Sequence, residues 1–339
     1  MDHPPATSPV PRVRLDHRAA LRPSRVALAA ALCALPALGL AQGWPAKPIR
    51  MIIPFPPGGA TDLIGRVSAQ RLTEALGQPV VVENRGGAGG SIGTELGMKA
   101  APDGYTLTFS VASYAVNPSL YKLAFDPVKD IQPIIQLSDG PLLLAVHPSV
   151  PVKTVRELIA LARRTPGGLN YSTSGQGTIS HLTTEHFMAM TGVRMTHIPY
   201  KGTAPALADT VAGHVALTFG NVFATLPLAR SGKLRAIAVT GANRINGDRS
   251  IPTVAESGVP GFDLALWHGL LAPRGLPRPI TDRLNAELNR VLKTKEMIDR
   301  LEGDGLSPVG GTPEQFGERI ARDIALYRTI VAKAGIKAD

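Results

Sequence analysis

The sequence predicts an α/β fold in two domains, and three observations carry that prediction. The first is residues 49–62, I-R-M-I-I-P-F-P-P-G-G-A-T-D, where an apolar run of strand length ends at a Pro- and Gly-rich turn and passes into a helix start at Thr61-Asp62. The second is the return of this pattern. Residues 80–82 run into E-N-R-G-G-A-G-G-S-I-G, 105–109 into S-V-A-S, and 169–171 into S-T-S-G-Q-G-T-I-S-H. The third is size: 339 residues, 44% hydrophobic and 18% charged, suffice for two ordinary domains with cores. Where a strand feeds a loop that feeds a helix, the first N–H groups of the helix have no partner within it. Several such junctions predict one cleft built largely from backbone amides, a place to hold an anion.

The elements follow in order. Residues 62–76 are amphipathic, with Leu63, Ile64, Val67, Leu72 and Leu76 near one face and Gly77 as a stop. With the strands on either side this makes a βαβ unit, hence a parallel sheet. A helix over 91–101 and a strand over 105–109 complete the first set. Residues 131–137 and 142–146 are two apolar runs, and a helix opens at Thr154 with Glu157 three residues on, a capping box. The second domain is placed from Pro148, with strands at 171, 195–198, 214–219 and 234–239 and helices over 179–190, 205–212 and up to 230. Residues 267–272 read as a strand returning to the first domain. The remainder reads as helical: Ile280, Leu284, Leu288, Val291, Ile298 and Leu301 share a face, and T-P-E-Q at 312–315 is a second capped start. The division is therefore 42–147 with 264–339, and 148–263. Two crossings between the domains make a hinge that closes on a ligand.

The start of the chain is a separate case. Five arginines from Arg12 to Arg25 precede an apolar stretch over 26–40, and Gly39-Leu40-Ala41 supplies small residues for cleavage after Ala41. A secretory signal peptide over 1–41 fits better than a membrane anchor, because the stretch falls short of the roughly 20 residues a bilayer crossing needs. Its removal takes five Arg and two Asp and lowers the net charge from +10 to +7. The only cysteine, Cys33, goes with it, so the mature chain uses neither disulfides nor Cys-ligated metal. The predicted location is the periplasm or outside the cell, without membrane insertion. The basic residues form no run interleaved with aromatics, which are only 5% of the chain, so a nucleic-acid partner is not indicated.

Candidate chemistry is sparse. Gly89-Gly90-Ser91-Ile92-Gly93 fits G-x-S-x-G, but a hydrolase elbow needs its serine directly at a strand end, and a Gly run intervenes here. No dinucleotide or phosphate-loop motif is complete. His181, Glu185 and His186 lack metal-ligand spacing, so no metal and no cofactor are indicated. His181 reads equally as a cleft residue or as a structural partner of the 172–178 loop. Asp62 reads as an N-cap fixing the Gly58-Gly59 loop, Lys201 as solvated, and Trp267 as core.

Assembled, P-F-P-P-G-G-A-T-D, V-V-V-E-N-R-G-G-A-G-G-S-I-G, A-P-D-G-Y-T-L, S-T-S-G-Q-G-T-I-S-H-L, H-I-P-Y-K-G-T-A-P-A-L and P-T-V-A-E-S-G-V-P-G-F resemble the Bug (Bordetella uptake gene) family. These are the extracytoplasmic solute-binding proteins of tripartite tricarboxylate transporters, and the resemblance spans the mature chain. It implies a two-domain periplasmic binding protein fold of type II with two crossing strands as hinge, and no catalysis. It implies a monomer that captures a small carboxylate for membrane permease subunits. Carried over by motif, the ligand residues are Gly58, Gly59, Ala60, Thr61 and Asp62, flanked by Gly87, Ala88, Gly89, Gly90 and Ser91. Ser110 and Ser113 follow, then Ser172, Ser174, Gly175, Gly177, Thr178 and His181. Tyr200, Gly202, Thr203 and Ala204 complete the set. Asp209 is expected to be structural or at the cleft edge. Ala216 and Gly220 stand where the family often has acids, which implies a ligand without an amine or hydroxyl. The open alternatives are a periplasmic sensor docking on a histidine kinase and, ranked lower, an exported hydrolase using Ser91.

Overall fold

A computed structural model describes residues 43–165, 168–246 and 248–336. The expected signal peptide, its cleavage point and Cys33 lie outside the described residues. Among the described residues, ten strands form one sheet in the order β2-β1-β3-β9-β4-β7-β5-β6, with β8 and β10 both paired to β4 off that path. The strands are β1 (Ile49–Ile53), β2 (Val80–Asn84), β3 (Thr106–Val111), β4 (Ile131–Val146), β5 (Asn170–Thr173), β6 (Thr196–Pro199), β7 (Leu217–Asn221), β8 (Arg235–Val239), β9 (Ala265–Pro273) and β10 (Ser307–Gly310). The β2-β1-β3 and β7-β5-β6 groups are parallel, as the βαβ pattern predicts. Between them lie β9 and the long β4, antiparallel to their neighbours.

Local chemistry explains the elements. Ile49, Met51, Ile52 and Ile53 are all fully buried, so β1 reads as a continuous apolar run rather than an alternating one. Helix α1 (Ala60–Leu76) ends where Gly77 takes the left-handed conformation, at φ 68°. Both expected capping boxes form, Thr154 with Glu157 at the start of α4 (Val155–Arg164) and Thr312 with Gln315 at the start of α10 (Pro313–Ala334). The other helices are α2 (Ser91–Met98), α3 (Ser113–Val116), α5 (Ile179–Thr191), α6 (Thr203–Val211), α7 (Val222–Arg230), α8 (Arg278–Leu292) and α9 (Lys295–Gly303).

Three expectations are corrected. Residues 131–137 and 142–146 belong to one 16-residue strand, because Ser138-Asp139-Gly140-Pro141 pairs with β9 instead of turning. The C-terminal region is not wholly helical: β10 pairs with β4 through Ser307, Pro308 and Gly310. Helix α2 stops at Met98, short of the expected 101.

Strands β4 and β9 are braced from one side by α10. The Trp267 indole donates to the Asp323 carboxylate at 2.8 Å, and Arg319 donates to both Asp323 and Asp139 at 2.8 Å. Trp267 is fully buried and serves as core, as expected.

Candidate functional site

Three helices begin beside one another without a side-chain cap from the residue that precedes them. Gly59 precedes α1, Thr178 precedes α5 and Gly202 precedes α6, and none of the three caps its own helix through a side chain, although Ser113 Oγ takes the first amide of α5. Helices α4, α9 and α10, which start elsewhere, are each capped by a threonine hydroxyl. The uncapped starts converge. A methyl placed on Gly59 would lie 3.8 Å from the Thr203 amide nitrogen, and Thr61, Ile179, Ser180 and Thr203 line a common cavity. Its other polar walls are Ser113, Ser174, Thr218 and Asn221, and its apolar wall includes Phe55, Val111, Leu142, Leu207, Phe219 and Leu266. Among the described residues, no Asp, Glu, Lys, Arg or His lines it. The cavity holds about 30 Å³, room for roughly one water in this conformation. The field at the site therefore comes from helix ends, each equivalent to about half a positive charge.

The first loop is held by Asp62. Its carboxylate accepts from the Gly58 N–H at 2.9 Å, the Arg66 Nε at 2.9 Å and the Asn84 Nδ2 at 2.8 Å. Burial pushes this carboxyl up, but the bonds from Arg66, Gly58 and Asn84 outweigh it and hold Asp62 below the ordinary carboxylate value. The loop-fixing role stands, whereas the N-cap assignment does not: Gly59 is the N-cap, and Asp62 reaches back from the third helical position. Gly58 adopts φ 80°, a left-handed turn that favours glycine.

The 172–178 loop rests on a stack of rings. Tyr171 stacks on His197 with centroids 5.0 Å apart, and His197 on His181 at 4.2 Å. The Thr173 hydroxyl meets His197 Nε2 at 2.7 Å, and the Gly177 N–H donates to His181 Nδ1 at 3.4 Å. Thr178 donates its hydroxyl to the Gly175 carbonyl at 2.7 Å, and Ser174 N–H donates to Ser180 Oγ at 3.2 Å. His181 is thus a support beneath the loop and does not line the cavity. Burial, reinforced by His181, pushes His197 down to about 4, so it is neutral at pH 7.

Of the residues expected to hold ligand, Thr61, Ser113, Ser174 and Thr203 line the cavity, with Gly59 at its border. Ser113 Oγ also accepts from the Ile179 N–H at 3.0 Å, tying α3 to α5. Ala60 is core, and Gly87 to Gly90 form a turn beside the cavity, where Gly89 abuts the Gln176 and Gly177 carbonyls. Ser91 is buried at the start of α2, off the cavity lining. Ser110 is turned away: Val111 lines the cavity, and strand alternation sends its neighbour to the opposite face. Ser172 bonds Thr210 at 2.8 Å in the core, and Tyr200 donates its hydroxyl to Asp209 at 2.6 Å. Gly175, Gly177 and Gly202 shape turns, and Ala204 faces outward. Ala216 lies off the cavity, whereas Gly220 borders it. Sequence reasoning missed Ser180, Asn221 and the apolar wall. Ser180 lies within the G-T-I-S-H motif and Phe55 within P-F-P-P, but the rest become neighbours only through strand register.

Comparison with known proteins identifies the family. A family profile described as "Tripartite tricarboxylate transporter family receptor", TctC, matches residues 64–336. Protein BugT of Bordetella pertussis is 40% identical over 300 residues, covering 88% of this chain and 92% of that protein. Among solved structures, R. palustris Rpa4515 with adipate has a TM-score of 0.84 at 38% identity, covering 87% of this chain and all of that one. MatC (Rpa3494) from Rhodopseudomonas palustris with bound malate has a TM-score of 0.79 at 31% identity, covering 85% of this chain and all of that one.

Proposed function

We propose a function for this chain from its family: it belongs to the tripartite tricarboxylate transporter receptors, TctC, which are periplasmic solute-binding proteins and not enzymes. On our reading it captures a small carboxylate and delivers it to the membrane permease subunits of such a transporter. The observation that carries this is the meeting of three uncapped helix starts at a cavity without a charged side chain. A carboxylate there gains charge-assisted hydrogen bonds from free amides and hydroxyls, with no cationic side chain needed. The relatives solved with adipate and malate support the same ligand chemistry.

The cavity, at about the size of one water, must open to admit a ligand. We assign that motion to two lobes, 42–147 with 264–339 and 148–263, swinging about β4 and β9. Export by the signal peptide, with cleavage after Ala41, puts the receptor in the periplasm. Among the described residues no helix is long and apolar enough to cross a membrane.

The test is a thermal-shift screen of residues 42–339, refolded from denaturant to remove carried ligand, against small carboxylates and their amides. A ligand at 100 times its dissociation constant adds about 2.7 kcal/mol, a rise of about 4 °C for a chain of this length. A shift with acids and none with their amides is expected. Equal shifts with both would overturn the proposal.

A further inference from the structure

We infer that Tyr121 is a latch between the two proposed lobes, a positioning residue that sets how long a captured ligand stays without touching it. The inference rests on the lobes and the carboxylate site proposed above, and names a contact that holds them shut. Tyr121 follows the 3-10 turn Asn117–Ser119 within the 42–147 segment, and its N–H donates to the Asn117 carbonyl at 2.8 Å. Its hydroxyl donates to the Gln176 carbonyl at 3.2 Å, in the glycine-rich loop of the 148–263 segment that leads into α5.

Two glycines show how closely the segments meet there. A methyl on Gly177 would lie 3.0 Å from Tyr121 Oη and Cε2 and from Leu120 Cδ1. One on Gly89 would lie 3.1 Å from the Gln176 carbonyl oxygen and 3.3 Å from that of Gly177. Asn117 anchors the Gly89 turn, donating its Nδ2 to the Gly89 carbonyl at 3.3 Å. One short stretch, Asn117 to Tyr121, therefore fixes the 87–90 turn and reaches across to the loop before α5.

Two other contacts cross between the segments at the cavity: Ser113 Oγ takes the Ile179 N–H at 3.0 Å, and Gly59 abuts Thr203. Both lie where a ligand would sit, so a ligand changes them. Leu120, Tyr121 and Gln176 line no part of the cavity. Groups that share no partner with the ligand add their energy independently of it, so the Tyr121 bond stabilises the closed arrangement equally for every ligand. Opening breaks that bond, and its loss shows in the dissociation rate.

The experiment is stopped-flow dissociation of succinate, glutarate, adipate and malate from the refolded 42–339 chain, as wild type and as Tyr121→Phe, which deletes only the hydroxyl. Dissociation of each acid that binds should quicken about fivefold, the rate equivalent of one neutral hydrogen bond, with the ranking of the acids unchanged. Tyr121→Ala, which also removes the ring against Gly177, should quicken it further. Unchanged dissociation in Tyr121→Phe overturns the inference and leaves carboxylate capture standing, whatever the variant does to the melting temperature. A factor that differs more than about threefold between acids also overturns it, because Tyr121 would then touch the ligand. No binding by any acid, in this set or in the wider carboxylate screen, overturns both.

Discussion

Removing the Asp62 carboxylate should loosen the Gly58-Gly59 loop and cost measurable stability. In Asp62→Ala three donors lose their acceptor: the Gly58 N–H, the Arg66 guanidinium and the Asn84 amide. A hydrogen bond to a charged group contributes about 1.5–3 kcal/mol when buried. Two of the three donors are discounted, because Gly58 is exposed and the Arg66 side chain is 50% exposed, so water replaces much of what they lose. Asn84, partly buried and also bonded to the Phe55 carbonyl at 2.9 Å, loses more. The sum is about 2–3 kcal/mol, read as a lower urea midpoint at pH 7. Asp62→Asn should cost nearly as much, since its amide nitrogen faces donors, while Arg66→Gln should cost under about 1 kcal/mol. The sign with pH follows from the lowered carboxyl value. The contribution is full above the unfolded value near 4 and is lost as pH falls through the folded one. The gap between wild type and Asp62→Ala should therefore shrink below pH 4. A gap under about 0.5 kcal/mol at pH 7, or one that widens in acid, would refute this reasoning.

Other consequences can be measured alongside. Trp267→Phe removes the donor to Asp323 but leaves Arg319 in place, for a loss of about 1–2 kcal/mol in urea unfolding. Gly93→Ala would put a methyl 2.3 Å from the Arg85 carbonyl oxygen and 2.9 Å from Pro54 Cα, backbone atoms that cannot rotate away. We expect about 3 kcal/mol or a failure to fold, and near-wild-type melting would show the packing is looser than described. Burial holds His197 at about 4 and His268 at about 3, so each binds fewer protons folded than unfolded. Their contribution is present above pH 6.5 and is lost as pH falls toward those values. Together they give a slope approaching about 2.7 kcal/mol per pH unit near pH 5, and a flat stability profile from pH 7 to 5 contradicts that. Ser113→Ala should weaken carboxylate binding about tenfold, from one lost polar partner in the cavity.

Much of this architecture was legible where one local rule governed. The buried run of β1, the glycine stop after α1 and both capping boxes are short-range chemistry, and they form as read. Reading failed where a distant partner decided. Ser138 to Pro141 has turn composition, yet pairing with β9 keeps it extended. Ser307 to Gly310 carries no strand pattern, and β4 supplies the edge that makes it one. The loops that border the cavity were legible because Gly, Ser and Thr cluster at helix starts. The apolar wall was not, because Val111, Leu142, Phe219 and Leu266 are ordinary strand residues until register places them side by side. Ser110 shows the cost: it has the expected residue type, one position out of phase with the cavity.

The most direct test is titration calorimetry of the refolded 42–339 chain with the best-bound diacid, its half-ester and its diester at pH 7. If uncapped helix ends and neutral hydroxyls hold ionised carboxylate, the diacid binds with one-to-one stoichiometry. The half-ester should then weaken by at least tenfold, and the diester should give no measurable heat. A diester that binds as tightly as the diacid would contradict anion capture by this cavity.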